Sequence, residues 1–319
     1  MLQLKMKKQE ESVKSSIYDL VIIGGGPAGL TAGIYAGRAR LKTLIIEEKI
    51  AGGQSATTEH LENYPGFKDG VGGIELAMMM EEQSKRFSAE FAYEKAISVK
   101  LKGDTKEIIL SSREVKAKSI IIASGASPKK LKADGADKFH GKGISYCATC
   151  DGALFRDKKI VIVGAGNSAI EEGIFMQRFT KDITFVQDLP YLTAEKILQE
   201  RIQNYSDTKF YLNTLVKSVN GNDRVESVTV TDRKANKEYQ IPADGVFVYI
   251  GYNPITDFLD KQVKLSEQGY IITDENMKTN IDGVFAAGDV RVKDFRQVIT
   301  AASDGATAAH SAEKYLENK

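Results

Sequence analysis

The chain has 319 residues, with 44 Lys and Arg against 43 Asp and Glu, a formal net charge of +1. So balanced a charge leaves no field to steer it toward nucleic acid or an anionic membrane. Hydrophobic residues make up 42% and charged residues 27%, as in a soluble globular protein, and no apolar run approaches the ~20 residues of a membrane span.

The length predicts two domains of ordinary size. Residues 1–16, MLQLKMKKQEESVKSS, are polar and lysine-rich. They lack the apolar core of a secretory signal and read as a flexible extension. The expected compartment is the cytoplasm, where thiols are kept reduced.

Next comes IYDLVIIGGGPAGLTAGIYAGRARLKTLIIEE, residues 17–48. Leu20–Ile23 is a continuous apolar run, the mark of a parallel strand covered on both faces. Gly24, Gly26 and Gly29 follow at GxGxxG spacing. The first glycine makes the turn, the second admits a pyrophosphate, and the third lets helix pack on strand. The helix N-terminus offers free N–H groups to phosphate. A second strand, Leu44–Ile46, ends at Glu47, 18 positions beyond Gly29, near the place of an acid that binds ribose. Met78, Met79 and Met80 read as helix core or interface packing.

Both cysteines lie in SYCATCDG, as Cys147 and Cys150 with Asp151 directly after. A disulfide here closes a tiny loop and constrains little of the unfolded chain. A structural zinc needs four ligands, and His60, His140 and His310 come with no second CxxC. The strong reading is a redox dithiol, in which each thiol has a resolving partner within reach. Asp151 is placed to shuttle the exchanged proton, although Asp-Gly is also a turn dipeptide.

The fingerprint then recurs in KIVIVGAGNSAIEEGIFMQRFTKDITFVQD, residues 159–188. The strand Ile160–Val163 leads into Gly164 and Gly166, with Ala169 in the third place, and a strand Ile183–Val186 follows the helix. The two fingerprints start 140 residues apart, one per domain. Two dinucleotide sites in one chain suggest electrons passing between two carriers. Glu171 and Glu172 read as a solvated helix face, and the charges of 199–240 as exposed sheet and loop. Late in the chain, TNIDGVFAAGDV reads as a short strand over Gly283–Ala287 that ends at Gly288-Asp289.

Together these segments resemble the low-molecular-weight thioredoxin reductases. GGGPAG (24–29), GGQ (52–54), ENYPGF (62–67), ASGA (123–126), CATCDG (147–152), GAGNSA (164–169), GVFAAGDV (283–290) and RQVITA (296–301) occur in that family's order. The resemblance implies an α/β protein of two Rossmann-like, three-layer (ββα) dinucleotide-binding domains, the second inserted in the first. The FAD-binding domain is expected over 17–128 and 256–319, and the pyridine-nucleotide and dithiol domain over 129–255. Ser127-Pro128 and Asn253-Pro254 suit the two linkers, since X-Pro favours extended backbone. It implies FAD on Gly24, Gly26, Pro27, Ala28, Gly29, Glu47, Gly53, Gln54, Asn63, Ser124 and Gly125. Gly288, Asp289, Arg296, Gln297 and Val298 complete that pocket. A nicotinamide dinucleotide is expected on Gly164, Gly166, Asn167 and Ser168. Cys150 is expected beside the flavin, Cys147 to attack the thioredoxin disulfide, and Asp151 to move the proton. No metal is implied, and a homodimer is.

One segment departs from the family. NADPH-using members carry His-Arg-Arg after the second strand of the inserted domain and a further Arg soon after, which clamp the 2′-phosphate. Here FVQDLPYLTA, residues 185–194, puts Gln187, Asp188 and Leu189 at those places and Thr193 at the next. Asp188 suits a free 2′-hydroxyl and repels a 2′-phosphate, so NADH is favoured over NADPH. The alternative donor is a reduced ferredoxin or flavodoxin. Peroxide-scavenging relatives need an added thioredoxin-like module that 16 polar residues are too few to form. Flavin reductases of ferredoxin lack the CxxC. A flavin-binding redox sensor without turnover is the reading from another class.

Overall fold

The computed structural model describes residues 17–319, so the extension expected over 1–16 lies outside the described residues. The chain forms two compact units. One runs up to Ser127 and resumes over Asn253–Lys319; the other is Pro128–Tyr252.

In the first unit, strand Tyr18–Ile23 pairs in parallel with Thr43–Glu47 on one side and Glu114–Ile122 on the other. Glu90–Tyr93 extends one edge. At the other, Val284–Ala286 pairs with Ile120–Ile122, two residues shorter than the expected strand. Gly283 is a turn at φ +74° instead, held against the Tyr315 ring. Ala96–Lys100 and Lys106–Leu110 form an antiparallel meander with the start of Glu114–Ile122.

Period-two alternation divides each parallel strand between two cores. Val21, Ile23, Leu44, Ile46, Ile120 and Ile122 meet Val99, Leu101 and Ile108 of the meander side. Leu20, Ile22, Ile45 and Ile121 face helices instead, against Ala28, Ala32, Ala36, Ala308 and Ala312. Those helices are Pro27–Arg38, with proline in its first turn, and Val298–Glu317, closed by a Gln297–Thr300 capping box. They approach closely because Gly305 has no Cβ; one there would collide with the Ala28 carbonyl oxygen. Helix Gly73–Arg86 buries Leu76, Ala77, Met80 and Ser84. Of the three methionines only Met80 is core, while Met78 and Met79 face outward.

The second unit repeats the plan. Its parallel sheet runs Lys209–Tyr211, Ile183–Val186, Ile160–Val163, Gly245–Val248, Ile144–Ser145 in spatial order. Val161, Val163, Val186, Val246 and Val248 pack on a three-stranded antiparallel sheet through Val216, Val228 and Val230. Ile160, Ile162, Phe185 and Phe247 pack on helical residues Ala169, Ile170, Met176, Leu198 and Ile202. The last two belong to helix Lys196–Gln203, so the start of the segment expected as exposed sheet and loop is helix. Its apolar residues at 198 and 202 are one turn apart and share the buried face.

Candidate functional site

The first unit builds a cradle around its fingerprint. Gly24 has φ +115°, and a Cβ there would collide with the Ala123 carbonyl. Gly29 lies against the Gly24 carbonyl, which leaves no room for any side chain. Gly26 differs: its φ is −76°, and a Cβ would meet only the Gly53 Cα at 4.0 Å. The bareness of Gly26 therefore serves the space beside it. Glu47 is tied to the same loop, its Oε2 accepting from Gly25 N at 2.8 Å.

The other expected residues of this unit divide into those joined to one another and those that only line the chain. Asn63 Nδ2 donates to Gln297 Oε1 at 3.1 Å, so segments 234 positions apart meet. Gln54 donates weakly to the Ala126 carbonyl at 3.4 Å. Ser124 Oγ donates to the Ile255 carbonyl at 2.7 Å. Gly125 turns at φ +68° with open space on its Cβ side. Pro27 and Ala28 open the fingerprint helix, and Val298 opens the last one. Gly288, at φ +77°, packs over Ala28.

Two buried atoms, Asp289 Oδ1 and Arg296 Nε, have no hydrogen-bond partner among the described residues. Burial raises the Asp289 carboxyl above its ordinary value, against the opposing charges of Lys293 and Arg296. An acceptor and a cationic donor held in reserve beside a glycine cradle fit the hydroxyls and pyrophosphate of FAD. Behind them stands a network that sequence reading missed. Asp304 accepts from Gly288 N at 3.1 Å, Arg291 Nε at 2.9 Å, Arg291 Nη2 at 3.3 Å and Lys293 Nζ at 2.8 Å. It fastens the Gly288–Val290 turn to the last helix.

In the second unit Cys147 and Cys150 form a disulfide. Cys147 caps the single helical turn Ala148–Asp151, its Sγ accepting from Cys150 N at 3.2 Å. That N–H favours a thiolate at Cys147 when the bridge is open. Cys150 is exposed and Cys147 half-buried. The Asp151 carboxylate does not stand free in the turn: Ser145 Oγ lies 2.6 Å from its Oδ2. On the other side, the hydroxyl of half-buried Tyr249 accepts from Ala148 N at 3.0 Å. Burial, then the charge of Glu172, raises the Tyr249 phenol far above its ordinary value, so it stays neutral. Glu172 is thus half-buried near this turn rather than wholly solvated. No group of His, Cys, Asp and Glu among the described residues could hold a metal.

The second fingerprint has the same logic as the first. Gly164, at φ +110°, would collide with the Tyr249 carbonyl if it bore a side chain. Gly166 would meet only Thr193 Oγ1 at 3.5 Å. Asn167, with Ser168 in the first turn of helix Asn167–Met176, is engaged by the chain itself. Its Oδ1 accepts from Glu195 N at 2.7 Å and its Nδ2 donates to Glu195 Oε1 at 3.1 Å. Asp188 is exposed at the end of its strand. Arg233, unremarked in the sequence, brings Nη1 within 3.5 Å of the Asp188 backbone carbonyl.

A pyridine nucleotide-disulphide oxidoreductase family model matches residues 18–305. The chain belongs to that family. Within the pyridine nucleotide-disulphide oxidoreductases it stands among the low-molecular-weight thioredoxin reductases. It is 44% identical to a thioredoxin reductase of Bacillus subtilis over 314 residues, 95% of this chain and 96% of that one. It is also 44% identical to a Clostridium pasteurianum 34.2 kDa protein in a rubredoxin operon, over 94% of this chain and 98% of that one. The crystal structure of Lactococcus lactis thioredoxin reductase superposes with a TM-score of 0.93 at 40% identity, covering 95% and 100% of the two chains. This is an oxidoreductase family with two dinucleotide-binding domains, in accord with the fold described above.

Proposed function

We propose that this chain reduces the disulfide of thioredoxin through Cys147 and Cys150, with FAD held by the first unit and NADH preferred to NADPH. The carrying observation is the CATC turn, which pairs a capping Cys147 with an exposed Cys150 and a carboxylate. FAD, when bound, supplies the electron pair that opens the bridge. Gly26, Gly53, Asp289 and Arg296 would hold it. The Cys147 thiolate then attacks thioredoxin; one S–S bond forms as the partner's S–S bond breaks, and the leaving thiolate takes a proton. Cys150 gives up its proton, attacks Cys147 and releases the second thiolate, which is protonated in turn. Two electrons and two protons have moved: one proton is that given up by Cys147 on becoming a thiolate and the other that given up by Cys150, and Asp151 passes each on.

The donor preference rests on Asp188, Leu189 and Thr193, which supply no cation for a 2′-phosphate. Each missing charge-assisted contact of about 1.5–3 kcal/mol removes roughly one to two decades of affinity. Arg233 brings Nη1 to the Asp188 backbone carbonyl, 3.5 Å away, rather than to its carboxylate. A second reading, a reduced ferredoxin or flavodoxin as donor, is in keeping with a C. pasteurianum relative being named for its place in a rubredoxin operon. On that reading the second fingerprint persists because Gly164 and its helix are needed for packing. An anaerobic titration of the holoenzyme with NADH, NADPH and reduced ferredoxin, following flavin absorbance, separates these donors. Flavin reduction by NADPH at lower concentration than by NADH ends the Asp188 argument. Arg at positions 188, 189 and 193 should improve NADPH use. The exposed Ile74, Met78 and Met79 of helix Gly73–Arg86 support a homodimer, and a monomer by light scattering counts against it. The thiol chemistry suits a cytoplasmic setting.

A further inference from the structure

We propose that Ser145 is a positioning residue that holds Asp151 for proton transfer and keeps it satisfied in both of its protonation states. This deepens the reading of Asp151 given above and rests on it. Ser145 is buried, at the end of the short strand Ile144–Ser145, whose parallel pairing to Val246–Phe247 fixes its backbone. Its hydroxyl meets three groups. Oγ lies 2.6 Å from Asp151 Oδ2 and 3.2 Å from the Cys147 carbonyl oxygen, and it accepts from Cys147 N at 3.1 Å.

A hydroxyl has one hydrogen and two lone pairs, so it cannot donate to both acceptors. With Asp151 ionised, the hydrogen goes to the carboxylate, the shorter and charge-assisted bond. When Asp151 takes a proton, the carboxylic acid becomes the donor to Ser145 Oγ. The serine hydrogen then turns to the Cys147 carbonyl. The Cys147 N–H occupies the remaining lone pair throughout. The Cys147 carbonyl also accepts from Asp151 N at 3.2 Å, so every group is hydrogen-bonded before and after the transfer, and no side chain leaves its place. A half-buried acid that gains and loses a proton in each exchange otherwise leaves a buried hydroxyl unpaired in one state. The same hydroxyl holds the backbone of Cys147, so the acid and the attacking cysteine share one anchor.

The test is rapid mixing of dithionite-reduced holoenzyme with oxidised thioredoxin, across the pH range where carboxylates and thiols titrate. It needs no decision about the natural donor. Ser145→Ala should slow exchange about tenfold and shift its pH dependence, while Ser145→Thr keeps both near wild type. If Ser145→Ala does not fold, Ser145→Thr against its isostere Ser145→Val makes the same comparison. The pH dependence of Cys147 alkylation in the reduced chain gives a readout free of turnover, and it should move in the hydroxyl-less variants only. Asp151→Asn separates the two levels of the argument. If Asp151→Asn loses the wild-type pH profile but Ser145→Ala and Ser145→Val keep it, the serine proposal is wrong and the reading of Asp151 stands. If Asp151→Asn itself keeps the profile, both fall. Equal losses in the Thr and Val variants mean that packing, not the hydroxyl, matters, and overturn the proposal.

Discussion

Removing the Asp304 carboxylate should unfasten the first unit's cofactor cradle. The side chain is buried on helix Val298–Glu317 and receives four hydrogen bonds, three of them from the half-buried cations Arg291 and Lys293. Charged hydrogen bonds of about 1.5–3 kcal/mol each would sum to more than the effect expected, because bonds sharing one acceptor are not additive. The better guide is the loss of one partner from a buried ion pair, about 3–5 kcal/mol. Asp304→Ala should therefore destabilise the unit by about that much. Asp304→Asn keeps acceptor geometry without charge and should cost about half. The assay is urea denaturation followed by flavin fluorescence and by circular dichroism. Burial pulls the Asp304 carboxyl upward, but hydrogen bonds from Arg291 and Lys293, and their charges, leave it below its ordinary 3.8. A depressed carboxylate contributes its stability above the unfolded value and loses it as pH falls through the folded one. The gap between wild type and Asp304→Asn should thus be full above 3.8 and shrink below it. A loss under about 1 kcal/mol for Asp304→Ala, the range of an exposed pair, or a gap that widens in acid, refutes the reasoning.

Gly26→Ala should give a folded chain with FAD affinity at least about tenfold weaker, whereas Gly29→Ala, which collides with the Gly24 carbonyl, should fail to fold; circular dichroism and flavin titration tell them apart. Cys147→Ser and Cys150→Ser should each abolish thioredoxin reduction while the flavin remains reducible by dithionite, and full turnover in both variants would exclude the dithiol mechanism.

Much of this was legible in the sequence because it is local. An apolar run, a glycine spacing and an acid at a fixed distance all lie within one βαβ unit, so Gly24, Gly26, Gly29 and Glu47 announce themselves. The dithiol was legible because the chain has no other cysteine. What stayed hidden depends on distant pairing. Asp304 reads as a helix-surface acid until helix Val298–Glu317 is laid over Arg291 and Lys293. Arg233 reaches Asp188 only once the strands of 214–242 are folded beside the sheet. Ser145 sat inside the quoted motif unremarked, since nothing in SYCATCDG says which way a serine hydroxyl turns. Met78 and Met79 were ambiguous because a helix stripe reveals one buried face without revealing how wide it is.

The contact of Gly305 with Ala28 has a consequence for how the protein is made. The fingerprint helix leaves the ribosome long before the strand Val284–Ala286 beside it and the helix that covers it. Residues 128–252 carry both faces of their own core and are free to fold in the interval. The first unit must wait with its apolar sheet only partly covered, and its closure joins segments far apart in sequence, which makes it slow. Asp289 and Arg296 arrive with the same late segment. On the role proposed for Asp289 and Arg296, flavin loading has to wait for this segment, and a nascent chain stalled before residue 284 would present to chaperones a sheet that lacks one of its seven strands.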